Sequence, residues 1–260
     1  MVVFFDLDGT VIDNDSQIIP ASAVEAIRLL RKNGHLPVVN TGRPYGHVDP
    51  RIREMDFSGW ICSCGAEVIL DGVYLHRDYP SREVCRRIAE EAHRCGLLIQ
   101  AESAEALFYD ETMTYSGHSA REAERLAKKG VRVVPFSAVP DFTFIKFVTH
   151  DTEGSNREEF LKYAREEFDC FIHVGTMIEY TKRGNTKARG MERLLQALNV
   201  PKEETFAIGD SGNDIPMFDM AGTNICMGNG MDVLKARADY VTDTVLNDGI
   251  WKALKHYGLI

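Results

Sequence analysis

The sequence predicts an α/β fold: a doubly wound parallel sheet with helices on both faces and an α+β module inserted into it. Three observations carry that reading. Short apolar runs alternate with amphipathic stretches at the start of the chain and again after about residue 183, which is the rhythm of βαβ units. Between them the pattern turns to hairpins and helix–strand–strand units. The length of 260 residues, 44% of them hydrophobic and 27% charged, supplies two cores and excludes a disordered or collagen-like chain.

The elements follow in order. Val2–Phe5 is a β-branched and aromatic run that ends at a carboxylate, a buried strand. Ser22 with Glu25 fits a capping box, and Val24, Ile27 and Leu30 recur at helical spacing up to Gly34. Leu36–Asn40 and Trp60–Ser63 read as further strands. Val68–Leu70 and Val73–Leu75, separated by Asp71-Gly72, form a hairpin, since Asp-Gly suits a type I′ turn. Ser81–Cys95 is a helix stopped at Gly96, Leu97–Ala101 and Leu107–Asp110 are strands, and Ala120–Lys129 is a polar helix. Phe144–Thr149 is a strand. Ser155 with Glu158 caps a helix to about Phe168, and Phe171–Val174 and Met177–Thr181 are strands joined at Gly175-Thr176. The parallel rhythm resumes with a helix over Thr186–Leu198, a strand over Thr205–Ile208 and a short helix over Ile215–Met220. Asn224–Met227 and Tyr240–Thr242 are strands, and Val233–Arg237 and Gly249–His256 are helices.

Four segments carry chemistry. Asp6-Leu7-Asp8-Gly9-Thr10 follows the first strand and delivers two carboxylates to the C-terminal edge of a parallel sheet, where such sheets bind ligands. Gly9 lets the chain turn there. Gly209-Asp210-Ser211-Gly212-Asn213-Asp214 is a second acidic strand end. Carboxylates from two strand ends repel without a cation and supply the hard oxygen donors that suit Mg²⁺. Asn40-Thr41-Gly42-Arg43-Pro44 offers a hydroxyl, loop backbone N–H groups and a guanidinium to phosphate oxygens. Lys187, in Gly184-Asn185-Thr186-Lys187, stands in a first helical turn, where the macrodipole disfavours a cation, so another interaction must hold it.

DLDGT, TGR, a lysine near the start of a late helix and GDSGND, in that order, resemble the four motifs of the haloacid dehalogenase superfamily. The wide gap between the second and third motifs is where type-IIB members carry an α/β cap, and the chain as a whole resembles the Cof-like phosphatases. The resemblance implies a Rossmann-like core of residues 1–78 and 183–260 and a specificity cap of residues 79–182. It implies that Asp6 is the nucleophile of an aspartyl-phosphate mechanism and Asp8 the general acid and base. It implies Mg²⁺ held by Asp6, the main-chain carbonyl of Asp8, and Asp210, with Asp214 close by. Thr41, Gly42, Lys187, Arg43 and Asn213 then bind phosphate or the leaving group, Asp214 holds Lys187 in place, and Thr10 braces the first loop.

Expected partners follow from charge. With 39 acidic against 30 basic residues, the formal net charge is −9, which disfavours nucleic acid. A small phosphate ester remains compatible, provided that cations reverse the field locally. No apolar stretch is long enough to span a membrane, and the N-terminal residues lack a secretory pattern, so a cytoplasmic location is expected. The six cysteines form no CxxC and are expected as free thiols, Cys62 and Cys64 as core residues. Within the cap, His118, Asp141 and the Gly175-Thr176 corner are candidates for contact with the leaving group, while His173 and Tyr180 fit cap-strand positions where substrate contact and packing are equal alternatives. A sugar phosphomutase using the same Asp6 and Asp8 is the alternative reaction, and a receiver-like phosphate-binding protein the alternative outside catalysis.

Overall fold

The structure, a computed structural model, describes residues 1–172 and 177–260. In chain order its elements are β1 (Val2–Phe5), α1 (Ala21–Lys32), β2 (Leu36–Asn40), α2 (Pro50–Arg53), β3 (Gly59–Cys62), β4 (Glu67–Leu70) and β5 (Val73–Arg77). There follow α3 (Arg82–Arg94), β6 (Leu98–Glu102), β7 (Ala106–Tyr109), α4 (Gly117–Lys128), β8 (Arg132–Pro135), β9 (Lys146–His150), α5 (Arg157–Ala164), β10 (Phe168–Ile172) and β11 (Ile178–Lys182). The chain closes with α6 (Lys187–Leu198), β12 (Thr205–Gly209), α7 (Ile215–Met220), β13 (Thr223–Cys226), α8 (Asp232–Lys235), β14 (Tyr240–Val241) and α9 (Gly249–His256). Two units separate: Met1–Gly42, Arg51–Arg77 and Thr186–Ile260 form one, and Arg43–Pro50 with Asp78–Asn185 the other.

The first unit is an eight-stranded sheet in the order β14-β13-β12-β1-β2-β3-β4-β5. From β14 to β3 every neighbouring pair is parallel, and the hairpin β4–β5 adds antiparallel at one end. Asp71 and Gly72 between these two strands both have positive φ, as the Asp-Gly turn requires. β1 lies at the point where the strand order reverses, with β2 on one side and β12 on the other. One face of the sheet buries Val2, Phe4, Val38, Ile61 and Ala207 against Met191, Leu194 and Leu195 of α6 and Met217 and Phe218 of α7.

Gly190 sets how closely α6 approaches the sheet. A Cβ there would collide with Ile61 Cγ2 and stand 3.0 Å from Gly65 Cα. The helix therefore lies flush on β3, and its first residue, Lys187, is carried to the C-terminal edge of the sheet.

The second unit is a six-stranded sheet in the order β10-β11-β9-β6-β7-β8, antiparallel except for β7–β8. Its core joins Ile88 and Ala92 of α3, Phe160 and Leu161 of α5, and Phe144, Phe147, Phe168 and Tyr180. The Tyr180 ring stacks on Phe147 with centroids 4.4 Å apart, so Tyr180 is a core residue.

Several details differ from the sequence reading. Residues 43–50, read as part of the first unit, group with the second. α1 begins after Pro20 with no side-chain cap, because the proline already holds the entry angle at φ −62. Ser22 instead donates to Asp248 Oδ1, and Glu25 pairs with Arg28. α5 is capped one residue later than expected, by Asn156, whose side chain accepts from the Glu159 N–H. β8 had no sequence signal, and it exists because β7 offers it a parallel edge. His173, Gly175 and Thr176 lie outside the described residues.

Gly190→Ala tests the close approach of α6. The helix gains about 1 kcal/mol of propensity, but overpacking against Ile61 costs about 1–3 kcal/mol. The variant is expected to unfold at a lower temperature than the parent in a thermal melt, and an unchanged or raised midpoint would show that the helix has room to move.

Candidate active site

Sheet register brings the chemistry to one edge. Phe5 pairs with Ile208 on one side and with Val39 on the other. Asp6, the Asp210 loop and Thr41 therefore leave three adjacent strands at the same level. The turn after Asp6 is closed by Leu7, whose carbonyl accepts from the N–H groups of Thr10, Val11 and Ile12 at 3.2, 2.9 and 3.0 Å. Gly9 takes φ +78 in this turn, and a Cβ on it would collide with the Asp210 carboxylate. Glycine is thus required twice over, for its backbone angle and for the space that Asp210 fills.

The Lys187 ammonium is 2% exposed and donates to Asp6 Oδ1 and to Asp214 Oδ1, each at 2.6 Å. Thr186 caps α6 by accepting from the Arg189 N–H. Asn40 anchors the first turn of the helix by donating to the Lys187 carbonyl at 3.2 Å. Asp214 Oδ2 accepts from the N–H groups of Asp210 and Ser211 at 3.0 and 3.1 Å. Both oxygens of Asp214 are therefore engaged: one holds the lysine and the other shapes the Asp210 loop.

The carboxylates of Asp6, Asp210 and Asp214 each bring one oxygen within 4.8 Å of the others. Asp8 is half-buried and stands outside this group. Three buried carboxylates face one ammonium, and the electrostatics record the imbalance. Burial pushes the Asp6 carboxyl well above the usual range; Lys187 pulls it down, while Asp214, Asp8 and Asp210 push it further up. Burial pulls Lys187 down, but Asp214 and Asp6 outweigh it and hold the ammonium charged. Asp210 is pushed up to about 7, first by burial and then by the charge of Asp214. Asp210 Oδ1 is buried without a hydrogen-bond partner. Hard oxygen donors, an uncompensated negative charge and an orphaned carboxylate oxygen fit a divalent cation held between Asp6 and Asp210. Asp214, with both oxygens engaged, orients the lysine and the loop.

Thr41 is buried beside this edge, its N–H donating to the Ile61 carbonyl at 2.8 Å. Its own carbonyl accepts from the Cys64 N–H at 3.1 Å, with Gly42 following. Thr10 is buried, and its hydroxyl has no hydrogen-bond partner. Asn213 is exposed on the second acidic loop, where its Oδ1 accepts from the Ser211 hydroxyl at 2.9 Å. Arg43 groups with the second unit, where its charge acts on Lys129. In that unit His118 stands 6.1 Å ring to ring from His150, and Asp141 forms an exposed pair with Arg82. All six cysteines are free thiols, and burial pushes the Cys62 thiol well up. Among the described residues, no helix is long and apolar enough to cross a membrane. Asn40 stood in the third segment without a role of its own, and Asn229 was not singled out from the sequence, because its hydrogen-bond partners lie far away in the chain.

Comparisons with known proteins bear on the family and the fold. The family model described as haloacid dehalogenase-like hydrolase matches residues 3–254. The 5-amino-6-(5-phospho-D-ribitylamino)uracil phosphatase YcsE of Bacillus subtilis is 27% identical over 260 residues, covering 99% of this chain and 96% of its own. The pyridoxal phosphate phosphatase YbhA of Escherichia coli is 25% identical, covering 96% of this chain and 95% of its own. Among solved structures, the sugar phosphatase BT4131 of HAD subclass IIB superposes with a TM-score of 0.81 at 25% identity, covering 100% of this chain and 99% of its own.

A pH dependence follows from Asp210. Its folded-state pKa, about 7, lies above the ordinary 3.8. Its contribution to stability is therefore fully present below the unfolded value and is lost as pH rises through the folded one. A divalent cation replaces the lost proton. Adding the cation is expected to raise the unfolding temperature more at pH 8 than at pH 5, read by a thermal melt in paired buffers; an equal shift at both pH values would contradict the assignment.

Proposed function

The chain belongs to the haloacid dehalogenase-like hydrolases, and from that premise we propose that it is a Mg²⁺-dependent phosphatase acting on a small phosphorylated metabolite, a sugar phosphate or a phosphorylated cofactor. The observation that carries this reading is the buried Lys187 ammonium shared by Asp6 and Asp214 at the edge of the sheet. It fixes one carboxylate as a nucleophile and leaves a third N–H of the lysine for a phosphoryl oxygen.

Asp6 attacks phosphorus, the bond to the leaving oxygen breaks, and the phosphoryl group passes to the Asp6 carboxylate. Asp8 gives its proton to the leaving alkoxide and then takes one from the water that attacks the aspartyl-phosphate. The second attack breaks the bond to Asp6 and releases inorganic phosphate, so the enzyme is restored. Lys187, the Thr41 hydroxyl and the Gly42 backbone hold phosphoryl oxygens through both steps, with Asn213 a further contact. Asp6, Asp210 and the Asp8 carbonyl would hold Mg²⁺, which when bound would supply neutralisation of the charge between nucleophile and phosphoryl group. The names of the relatives, a 5-amino-6-(5-phospho-D-ribitylamino)uracil phosphatase and a pyridoxal phosphate phosphatase, support small phosphorylated metabolites, phosphorylated cofactors among them, as the substrate range. The second unit is assigned as the cap that selects the leaving group.

A phosphate-release screen over sugar phosphates and phosphorylated cofactors with Mg²⁺ tests the reading. Free phosphate is expected from a subset of the panel and is expected to vanish with a chelator; isomerisation of a sugar phosphate without release would mark a mutase instead. Asp6→Asn is expected to lower turnover by about a thousandfold or more, and Lys187→Ala by about a hundredfold or more. An Asp6→Asn variant with near-parental turnover would remove Asp6 from its role.

A further inference from the structure

Asn229 lies in the loop after β13, 220 residues from the turn that carries Asp8. Its amide Nδ2 donates to the Gly9 carbonyl at 2.7 Å, and its Oδ1 accepts from the Val245 N–H at 3.1 Å. The two partners leave no ambiguity about the amide: a carbonyl accepts only, and a backbone N–H donates only. Nδ2 therefore faces Gly9 and Oδ1 faces Val245. The loop around it is pinned independently, since Gly228 N–H donates to the Asp243 carbonyl at 3.0 Å and Met231 N–H to the Asp210 carbonyl at 2.7 Å.

Asp8 sits between two held peptide groups. The Leu7 carbonyl on one side is occupied by three N–H groups of its own turn, and the Gly9 carbonyl on the other side ends on Asn229. The Gly9 N–H, in the Asp8–Gly9 peptide, donates to the Ile12 carbonyl at 2.8 Å; the Gly9 carbonyl belongs to the next peptide, which without Asn229 is held only at its N–H end, where Thr10 donates to the Leu7 carbonyl at 3.2 Å. Gly9 carries no side chain to resist rotation, so without Asn229 the Gly9–Thr10 peptide would turn more freely and loosen the backbone that follows Asp8. An asparagine suits the task because it donates to a carbonyl without adding charge to a site already rich in carboxylates.

We infer that Asn229 is a positioning residue for general acid–base catalysis: it locks the Gly9–Thr10 peptide at the end of the Asp8 turn and so aims the Asp8 carboxyl at the leaving oxygen. This rests on the phosphatase reading and deepens it. The consequence is specific. A misaimed acid hurts most when the leaving group needs its proton, so a poor leaving group suffers more than a good one.

The test uses phenyl phosphate and 4-nitrophenyl phosphate, two esters of similar shape whose leaving groups differ in basicity. The parent and Asn229→Leu, which keeps the branching of the side chain and deletes both hydrogen bonds, are compared by kcat/KM with Mg²⁺. The loss is expected to be about tenfold larger for phenyl phosphate than for 4-nitrophenyl phosphate, with the Mg²⁺ midpoint within about twofold of the parent. An equal loss on both esters, or no loss, overturns the inference. Should Asn229→Leu not fold, Val245→Pro serves, since it removes the N–H that orients the amide and leaves Asn229 itself in place, at the first residue of a helical turn, where proline is tolerated. It is expected to show the same leaving-group selectivity in milder form, and parental behaviour on both esters overturns the inference. A parent that releases phosphate from no ester overturns the phosphatase reading and this assignment together, whereas an active parent with an unaffected variant overturns this assignment alone.

Discussion

Everything at the catalytic edge depends on one buried ammonium. Lys187 is the first residue of α6, where the helix dipole disfavours a cation. It is also almost wholly removed from water, which costs still more. Two carboxylates at 2.6 Å repay both penalties and hold the charge in place. The constraint runs in both directions. Asp6 and Asp214 could not be buried side by side without the lysine, and the lysine could not reach them if α6 stood further off the sheet.

That requirement explains features which otherwise look unrelated. Gly190 lets α6 lie flush on β3. Asn40 at the end of β2 ties down the Lys187 carbonyl, so the helix start is fixed by both a backbone and a side-chain contact. Asp214 uses its second oxygen to cap the backbone of Asp210 and Ser211, which links the shape of the metal-facing loop to the position of the lysine. Three carboxylates against one ammonium leave the centre negative, and the orphaned Asp210 oxygen marks where a cation is wanted. The site is thus built to be incomplete until a divalent ion joins it.

Much of the first unit was legible in the sequence. Strands such as Val2–Phe5 and Thr205–Ile208 are short apolar runs whose burial on both sheet faces is written in their composition. The second unit was legible in its helices and most of its strands, but β8 was not. Its residues, Arg-Val-Val-Pro, carry no alternation long enough to register, and pairing with β7 alone makes them a strand. Caps were the least legible feature. Ser22 and Ser155 both had capping-box spacing, yet backbone geometry gave the first cap to Pro20 and the second to Asn156.

The sequence by itself determined which charged residues would gather at one sheet edge. Acidic residues directly after buried strands must emerge at a sheet edge, and a lysine in a first helical turn needs a counter-charge. Only the tertiary structure decided the division of labour among them. Strand register set Asp6, Asp210 and Thr41 level with one another, and helix packing gave Lys187 to Asp6 and Asp214 rather than to Asp210. Asp214 has both oxygens engaged, one on the Lys187 ammonium and one on the N–H groups of Asp210 and Ser211, a pairing in which the loop contacts come from the fold. Asn229 was found only because the fold brings it to Gly9 across 220 residues. Hydrogen bonds of that range depend on the relative placement of whole strands and loops, which no local pattern encodes.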